Sequence, residues 1–404
     1  MLIDLSPLRV RNFRRLFLGQ LISAFGSQMT AIVIPFQVYF LTESMFWTGL
    51  ISGTEFLCLL LSSLVGGVLA DRLDKRRLLI MAESVLVVIP IGLAINATLP
   101  TPSLAVIFLL AGLASMLNGL HRPALEALTP RLVASEDIAK VSALAPMRHI
   151  LTTILSPLIG GVLIVGIGPA GTYALNAVTF LISLLFLLGI RYQSASGAVT
   201  PVPNLRGFIH ELAEGKRYLK SRPDILGSYV NDFIAMVLCT PFALFPALAM
   251  AFDRVESLGM LYALPSTGAL IMTLVSQWTL KVRRCGVYVI VGSTCWALSM
   301  LWVGVAPSFG WILVGLLFAG YFDMMSGVFR MTLWNETIPE SVRGRMAGFE
   351  MLSYMSGPLL GNTLLGFWAD RYGIQSTLAT GAAVGLLCLL VFNIWRPQLW
   401  KFER

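Results

Sequence analysis

Charge is what this sequence of 404 residues has least of. Only 12% of its residues are Asp, Glu, Lys or Arg, about half the share found in an ordinary soluble domain. By contrast, 56% belong to the apolar set from Ala to Cys, and the mean hydropathy is +0.79. So few polar side chains cannot cover a water-facing globule, which excludes soluble enzymes, nucleic-acid binders and secreted disulfide scaffolds. Cysteine is scarce too. Cys58, Cys239, Cys285, Cys295 and Cys388 form no C-x-x-C pair and sit in or beside apolar runs, so they read as small buried hydrophobes, neither staples nor metal ligands. No G-x-x-x-x-G-K-[ST], G-x-S-x-G or H-E-x-x-H occurs, so no nucleotide, esterase or zinc-protease site is expected. The stretch GIGPAG at 166–171 fits G-x-G-x-x-G, but it lies between two apolar runs with Pro169 in its middle and no strand ahead of it. It reads as a loop. What remains is an integral membrane protein built of helices, since a transmembrane β-barrel shows short alternating segments and not long apolar runs.

A membrane-spanning helix needs about 20 mostly apolar residues. Twelve such runs can be read, beginning near residues 16, 46, 78, 103, 138, 171, 224, 257, 287, 309, 347 and 375. The first carries Gln20, Gln28 and Gln37 and lacks an A-x-A site, so it reads as a span and not a cleaved signal. The bases set the orientation. With the N-terminus in the cytoplasm, 24 of the 29 Lys and Arg fall in cytoplasmic segments; only Arg254 and Arg371 fall outside, and Arg122, Arg148 and Arg330 lie within spans. The net charge of +8 is thus a positive-inside signature, with both termini cytoplasmic. It gives no sign of nucleic acid.

One long polar stretch divides the chain. Residues 1–190 form a first six-helix half, 191–222 a cytoplasmic linker, and 223–404 a second six-helix half. The linker's GFIHELAEGKRYLKSR alternates apolar and charged positions at helical spacing, as an amphipathic helix on a membrane surface does. The halves repeat features in order. Gly119, Arg122 and Pro130 recur 208 or 209 residues later as Gly327, Arg330 and Pro339, and Pro157 recurs as Pro358. Parallel repeats place a pathway at their interface.

The most specific local pattern is GGVLADRLDKRR at 66–77, between spans 2 and 3. Gly67, Asp71, Arg72, Lys75 and Arg76 match the inter-helix signature G-x-x-x-D-R-x-G-R-[RK] of the major facilitator superfamily, which the chain therefore resembles; Asp74 stands where that signature has its second glycine. The resemblance implies an all-α fold of twelve transmembrane helices in two pseudo-symmetric halves. It further implies that Asp71 faces the start of span 11, near Arg345 to Gly348, and that Arg76 pairs with Glu126. Together these contacts form an inner gate. A carboxylate at a helix N-terminus complements the helix dipole. Ser156-Pro157-Leu158-Ile159-Gly160-Gly161 resembles the superfamily's G-P-x-x-G-G signature in span 5, associated with exporters, with Ser156 replacing the glycine. Pro157 bends the helix, and Gly160 and Gly161 allow close packing.

Ionisable groups inside spans are costly and by default functional. Glu55 in span 2 and Asp323 in span 10, with Arg330 two turns beyond Asp323, are the candidates for proton coupling. Glu83 and Glu350, nearer the inner interface, read at least as well as satisfied structural groups. His121-Arg122 in span 4 and Arg148-His149 in span 5 lie at similar depth. Either the arginines snorkel to headgroups, or the four residues form a basic collar in an inner vestibule for an anionic substrate. Two histidines beside two guanidinium groups would repel a cation, so no metal site is read there.

Along its whole length the chain further resembles the enterobactin exporter family: Ser6-Pro7-Leu8 with Phe13 and Arg14, Pro35-Phe36-Gln37-Val38, the GGVLADR loop, Thr129-Pro130 and the run at 156–161. That resemblance implies a proton-coupled secondary transporter, not an enzyme, exporting a siderophore across the bacterial inner membrane as a monomer without cofactor or nucleotide. A multidrug or macrolide-type efflux pump is the alternative, and an importer of a small metabolite a further one.

Overall fold

The computed structural model describes residues 6–72, 74–190 and 216–402, without the side chains of 63–72, 135, 139, 143, 145, 340–345 and 347–355. Among the described residues the regular structure is helical throughout. The first helices are α1 (Arg11–Thr42), α2 (Met45–Arg72), α3 (Lys75–Thr98) and α4 (Leu104–Leu128). Next comes a continuous helical stretch, Ile138–Leu188, broken at Gly168, where φ is 69° and ψ is 177°. Only glycine adopts that conformation readily. The break yields two arms, α5 (138–167) and α6 (169–188), and it falls inside GIGPAG, which is therefore a turn between two helices. The second half holds α7 (Pro223–Cys239), continued by the short helix Phe245–Ala251, then α8 (Leu258–Leu274) and α9 (Cys285–Val305). It closes with α10 (Phe309–Thr337), α11 (Glu340–Tyr372) and α12 (Ile374–Trp395).

Ten helical stretches among the described residues are long and apolar enough to cross a membrane. The one covering 140–188 supplies two crossings because of the Gly168 break, and α11 supplies a further 33-residue helix, about 50 Å at 1.5 Å per residue. Twelve crossings result. The amphipathic helix expected in the linker lies largely outside the described residues; within them, 216–221 are helical.

The chain separates into two compact units. The first comprises Met1–Glu43, Thr54–Val202 and Arg254–Met260, and the second Ser44–Gly53, Pro203–Asp253 and Leu261–Arg404. The boundary expected from the linker alone lacks two exchanges: the first residues of α2 group with the second unit, and those of α8 with the first.

Within the first unit, α1 lies along α6, joined by a polar seam. Tyr173 Oη donates to Gln37 Oε1 (2.8 Å), Asn176 Nδ2 to Thr30 Oγ1 (2.6 Å), and Gln20 Nε2 contacts Ser183 Oγ (3.5 Å). Two of the glutamines that interrupt the first apolar run, Gln20 and Gln37, thus bond to the neighbouring helix, as polar residues in membrane bundles do. An apolar cluster including Phe13, Leu16, Leu79, Leu128, Leu144 and Leu187 closes one end of this unit. The second unit repeats the design. Asn393 Nδ2 donates to Asn231 Oδ1 at 2.8 Å between α12 and α7, and an apolar cluster forms around Tyr229, Val289, Phe329, Leu333 and Trp334.

Candidate functional site

Each unit carries a buried electrostatic centre. In the first, Glu83 on α3 is fully buried. Its Oε1 accepts from Gln20 Nε2 of α1 and from Ser183 Oγ of α6 (3.1 Å), and lies 3.3 Å from His121 Nε2 of α4. Its Oε2 is buried and finds no hydrogen-bond partner among the described residues. In the second, Asp232 on α7 forms an ion pair with Arg330 on α10, both largely buried. The Arg330 guanidinium lies 6.0 Å from the Trp334 ring centre, and Trp334 Nε1 donates to Ser228 Oγ at 3.0 Å. Tyr229 packs on the same indole, with ring centres 4.9 Å apart. The centres correspond: Gln20 and Asp232 each lie nine residues into the opening helix of their half, and Arg330 is the counterpart of Arg122.

Arg330 was expected to act with Asp323 on its own helix, but its partner is Asp232. Seven residues along a helix separate Asp323 from Arg330 by about two turns, 10 Å, whereas Asp232 reaches across from α7. Asp323 and Glu55 are both partly buried, and no hydrogen bond to either carboxylate is found among the described residues. The Glu55 backbone carbonyl accepts from Ser115 Oγ at 2.7 Å.

The four-residue basic collar divides. Arg122, Arg148 and His149 lie within one another's electrostatic range, with Glu126 beside them; Arg122 Nε donates to Glu126 Oε1 at 3.1 Å on an exposed face. His121 points instead to Glu83. Adjacent positions on a helix are 100° apart, so His121 faces the bundle while Arg122 faces away.

Of the gate residues, Gly67, Asp71 and Arg72 lie outside the described side chains, as do Arg345, Gly348 and Glu350. Arg76 was expected to meet Glu126; it donates to the Leu188 carbonyl at 2.9 Å, while Glu126 is held by Arg122 four residues earlier on its helix. Asp74, the departure from the superfamily signature, has a local task. Its Oδ1 accepts from the Arg77 amide at 2.8 Å and caps α3, which begins at Lys75. In span 5, Gly160 lies on Met29 of α1, and a Cβ at Gly161 would stand 2.6 Å from the Gly259 nitrogen, in the 254–260 segment that groups with the same unit. The two glycines therefore admit two different neighbours.

One site escaped the sequence reading. In the second unit, Asp370 near the end of α11 accepts from Ser44 Oγ (2.5 Å), Met45 N (2.6 Å) and Phe46 N (3.1 Å), the first residues of α2. A carboxylate thus satisfies the free amides of a helix N-terminus. The signal was present: Gly366, Asp370, Arg371 and Gly373 repeat the G-x-x-x-D-R-x-G order of the 66–77 motif. Outside the spans, Arg222 just ahead of α7 grips Asp224 through two hydrogen bonds of 3.1 and 2.7 Å, and this contact holds its guanidinium above its ordinary range. Among the described residues no three His, Cys, Asp or Glu side chains converge as metal ligands do.

Comparison with known proteins sets these centres in context. Residues 3–403 match a family described as transmembrane secretion effector. The enterobactin exporter EntS of Salmonella typhi is 31% identical over 400 residues, 97% of this chain and 95% of its own length. EntS of Citrobacter koseri is 30% identical over 401 residues, covering 97% and 94%. Among solved structures, a POT family transporter in complex with 5-aminolevulinic acid superposes with a TM-score of 0.77 at 14% identity, over 97% of both chains. The nucleoside transporter NupG gives 0.68 at 15% identity, over 98% of this chain and 99% of its own. At such identities the structures attest the fold alone.

Proposed function

The chain belongs to the transmembrane secretion effector family of the major facilitator superfamily, a transporter and not an enzyme, and from that membership we propose that it exports a siderophore. The observation that carries this reading is the likeness to enterobactin exporters along nearly the whole of both chains. Export runs across the bacterial inner membrane, with both termini in the cytoplasm, and draws on the proton gradient, since no nucleotide motif is present. The protein works as a monomer.

Arg122, Arg148 and His149 receive an anionic substrate; three basic groups sharing one electrostatic neighbourhood attract anions and repel cations. Glu55 and Asp323 are acids inside spans whose carboxylates are free to exchange protons along the pathway. Asp71, with Gly67, Arg72, Lys75 and Arg76, forms the cytoplasmic gate, and Pro157, Gly160 and Gly161 shape the packing around α5.

The test is secretion. Expressed in a bacterium lacking its enterobactin exporter, the protein should restore enterobactin to the culture medium while leaving tolerance to unrelated apolar drugs unchanged. Unrestored secretion together with a gain of tolerance to several such drugs would assign it to multidrug efflux instead.

A further inference from the structure

We infer that Glu83 and His121 together form a proton-binding site of the first unit, an inference that rests on the proton-coupled reading and names a carrier for it. The geometry is that of a carboxyl–imidazole pair held in one arrangement by neutral neighbours. Three donors converge on Oε1 of Glu83, from Gln20, Ser183 and His121, while Oε2 meets none. Of these three neighbours only His121 has an ionisable side chain. With the neutral His121 ring directing its Nε2–H at Glu83 Oε1, the pair offers two seats for one further proton, His121 Nδ1 and Glu83 Oε2. Uptake takes the pair from a net charge of −1 to zero, and release reverses it; no other bond forms or breaks.

The surroundings suit exchange between charge states. Glu83 faces Gln20 from α1, His121 from α4 and Ser183 from α6. The charged groups nearest along α3 are Arg76 and Arg77, at the opening of the helix. Arg15 on α1 is held at the Gly189 carbonyl. From α5, Arg148 and His149 act with Arg122 and Glu126, and Glu55 of α2 bonds none of the four. Among the described residues no lysine or arginine pairs with the Glu83 carboxylate, unlike Asp232, which Arg330 holds in an ion pair. A purely structural role would be served by a glutamine in place of Glu83; an acid at a fully buried intramembrane position is costly and implies a use.

The pair also lies where a proton and an anion can sense one another. His121 and Arg122 are consecutive on α4, the first bonded to Glu83 and the second grouped with Arg148 and His149. Pro123 follows directly; having no amide hydrogen, it leaves the Gly119 carbonyl without its helical donor. Helix α4 therefore lacks one backbone hydrogen bond just where the two sites meet, and a shift of this turn would move both together.

The experiment has two arms. In the first, purified protein in lipid is titrated with pH while the infrared carbonyl stretch of protonated carboxyls is followed. Wild type should show a titrating band that disappears in Glu83→Gln and moves along the pH axis in His121→Asn, where the carboxyl remains but its partner cannot be charged. Glu83→Gln spectra that titrate as wild type would overturn the site, and this arm needs no substrate. His121→Asn supplies the same decision should Glu83→Gln fail to fold, an unmoved band then counting against the pair. In the second arm, proteoliposomes loaded with enterobactin are tested for efflux driven by a pH gradient and for one-for-one exchange without a gradient. Glu83→Gln should lose at least tenfold in gradient-driven efflux while keeping exchange within about twofold of wild type. Glu83→Gln driven as fast as wild type would refute the inference; wild type indifferent to the gradient would refute the proton-coupled reading itself, leaving the first arm to decide whether the pair binds a proton.

Discussion

Removing the Asp370 carboxylate should loosen the first turns of α2, by an amount the contacts allow one to estimate. Asp370 accepts from Ser44 Oγ, Met45 N and Phe46 N, and Ser44 Oγ in turn accepts from Trp47 N at 3.4 Å. Truncating a cap to alanine costs about 1 kcal/mol, with a range of roughly 0.5–2. The charge–dipole part of that figure is ~0.3–1 kcal/mol at an exposed site, and Asp370 is exposed, so solvent screening keeps it toward the lower end. A loss of about 0.5–1 kcal/mol is the expectation for Asp370→Ala, a roughly two- to fivefold rise in the open population at ~1.4 kcal/mol per factor of ten. Hydrogen–deuterium exchange of a peptide covering 44–53 reads that population directly. The peptide should exchange faster by this factor, while one from the polar seam of α1 and α6 stays unchanged. Asp370→Asn keeps an acceptor oxygen and loses the charge, so it should fall between wild type and alanine. Unaltered exchange over 44–53 in Asp370→Ala would show that the carboxylate only decorates a helix end already stable without it.

Three further outcomes follow from the two units. Asp71→Asn should sharply reduce efflux while leaving expression and membrane insertion at wild-type levels, because losing ~0.3–2 kcal/mol of charge–dipole energy shifts a conformational balance without unfolding a helix; transport assays and membrane yields check both halves of the statement. Asp232→Asn leaves Arg330 buried without its counter-charge, a change worth roughly 3–5 kcal/mol, so it should lower the melting temperature more than Asp232→Asn combined with Arg330→Gln does. Arg122→Gln with Arg148→Gln should weaken binding of an anionic siderophore tenfold or more and spare a neutral compound, by calorimetry on the detergent-solubilised protein.

The fold was legible because membrane helices announce themselves in one dimension: apolar runs, the placement of lysine and arginine, and the recurrence of Gly119, Arg122 and Pro130 two hundred residues on. The loop at 166–171 was legible as a turn because Gly168 sits where two apolar runs meet. What remained hidden depends on which helix lies beside which. Asp232, beside Asn231 in the run that begins near 224, is itself an ionisable group inside a span, but its partner Arg330 lies almost a hundred residues away and only helix packing joins them. Glu83 reads from sequence as a structural polar group, until Gln20, Ser183 and His121 are seen to converge on one of its oxygens and leave the other bare. The collar does not hold as a set of four because equal depth leaves facing open, and a step of 100° turns His121 toward Glu83 and away from Arg122. Asp370 was readable from its repeat of the Gly67–Asp71–Arg72 order. Its use was not, since the helix it caps opens more than three hundred residues earlier.

The proposed siderophore export driven by protons can be tested with the purified protein alone. Purified protein is reconstituted into proteoliposomes, enterobactin is supplied on the face that is cytoplasmic in the cell, and a pH gradient, acid on the opposite side, is imposed and then collapsed with a protonophore. Enterobactin should accumulate on the acid side against its own gradient, and the protonophore should abolish the accumulation. Accumulation that persists undiminished after the gradient has collapsed, or no movement of enterobactin by protein that moves unrelated apolar drugs, would contradict it.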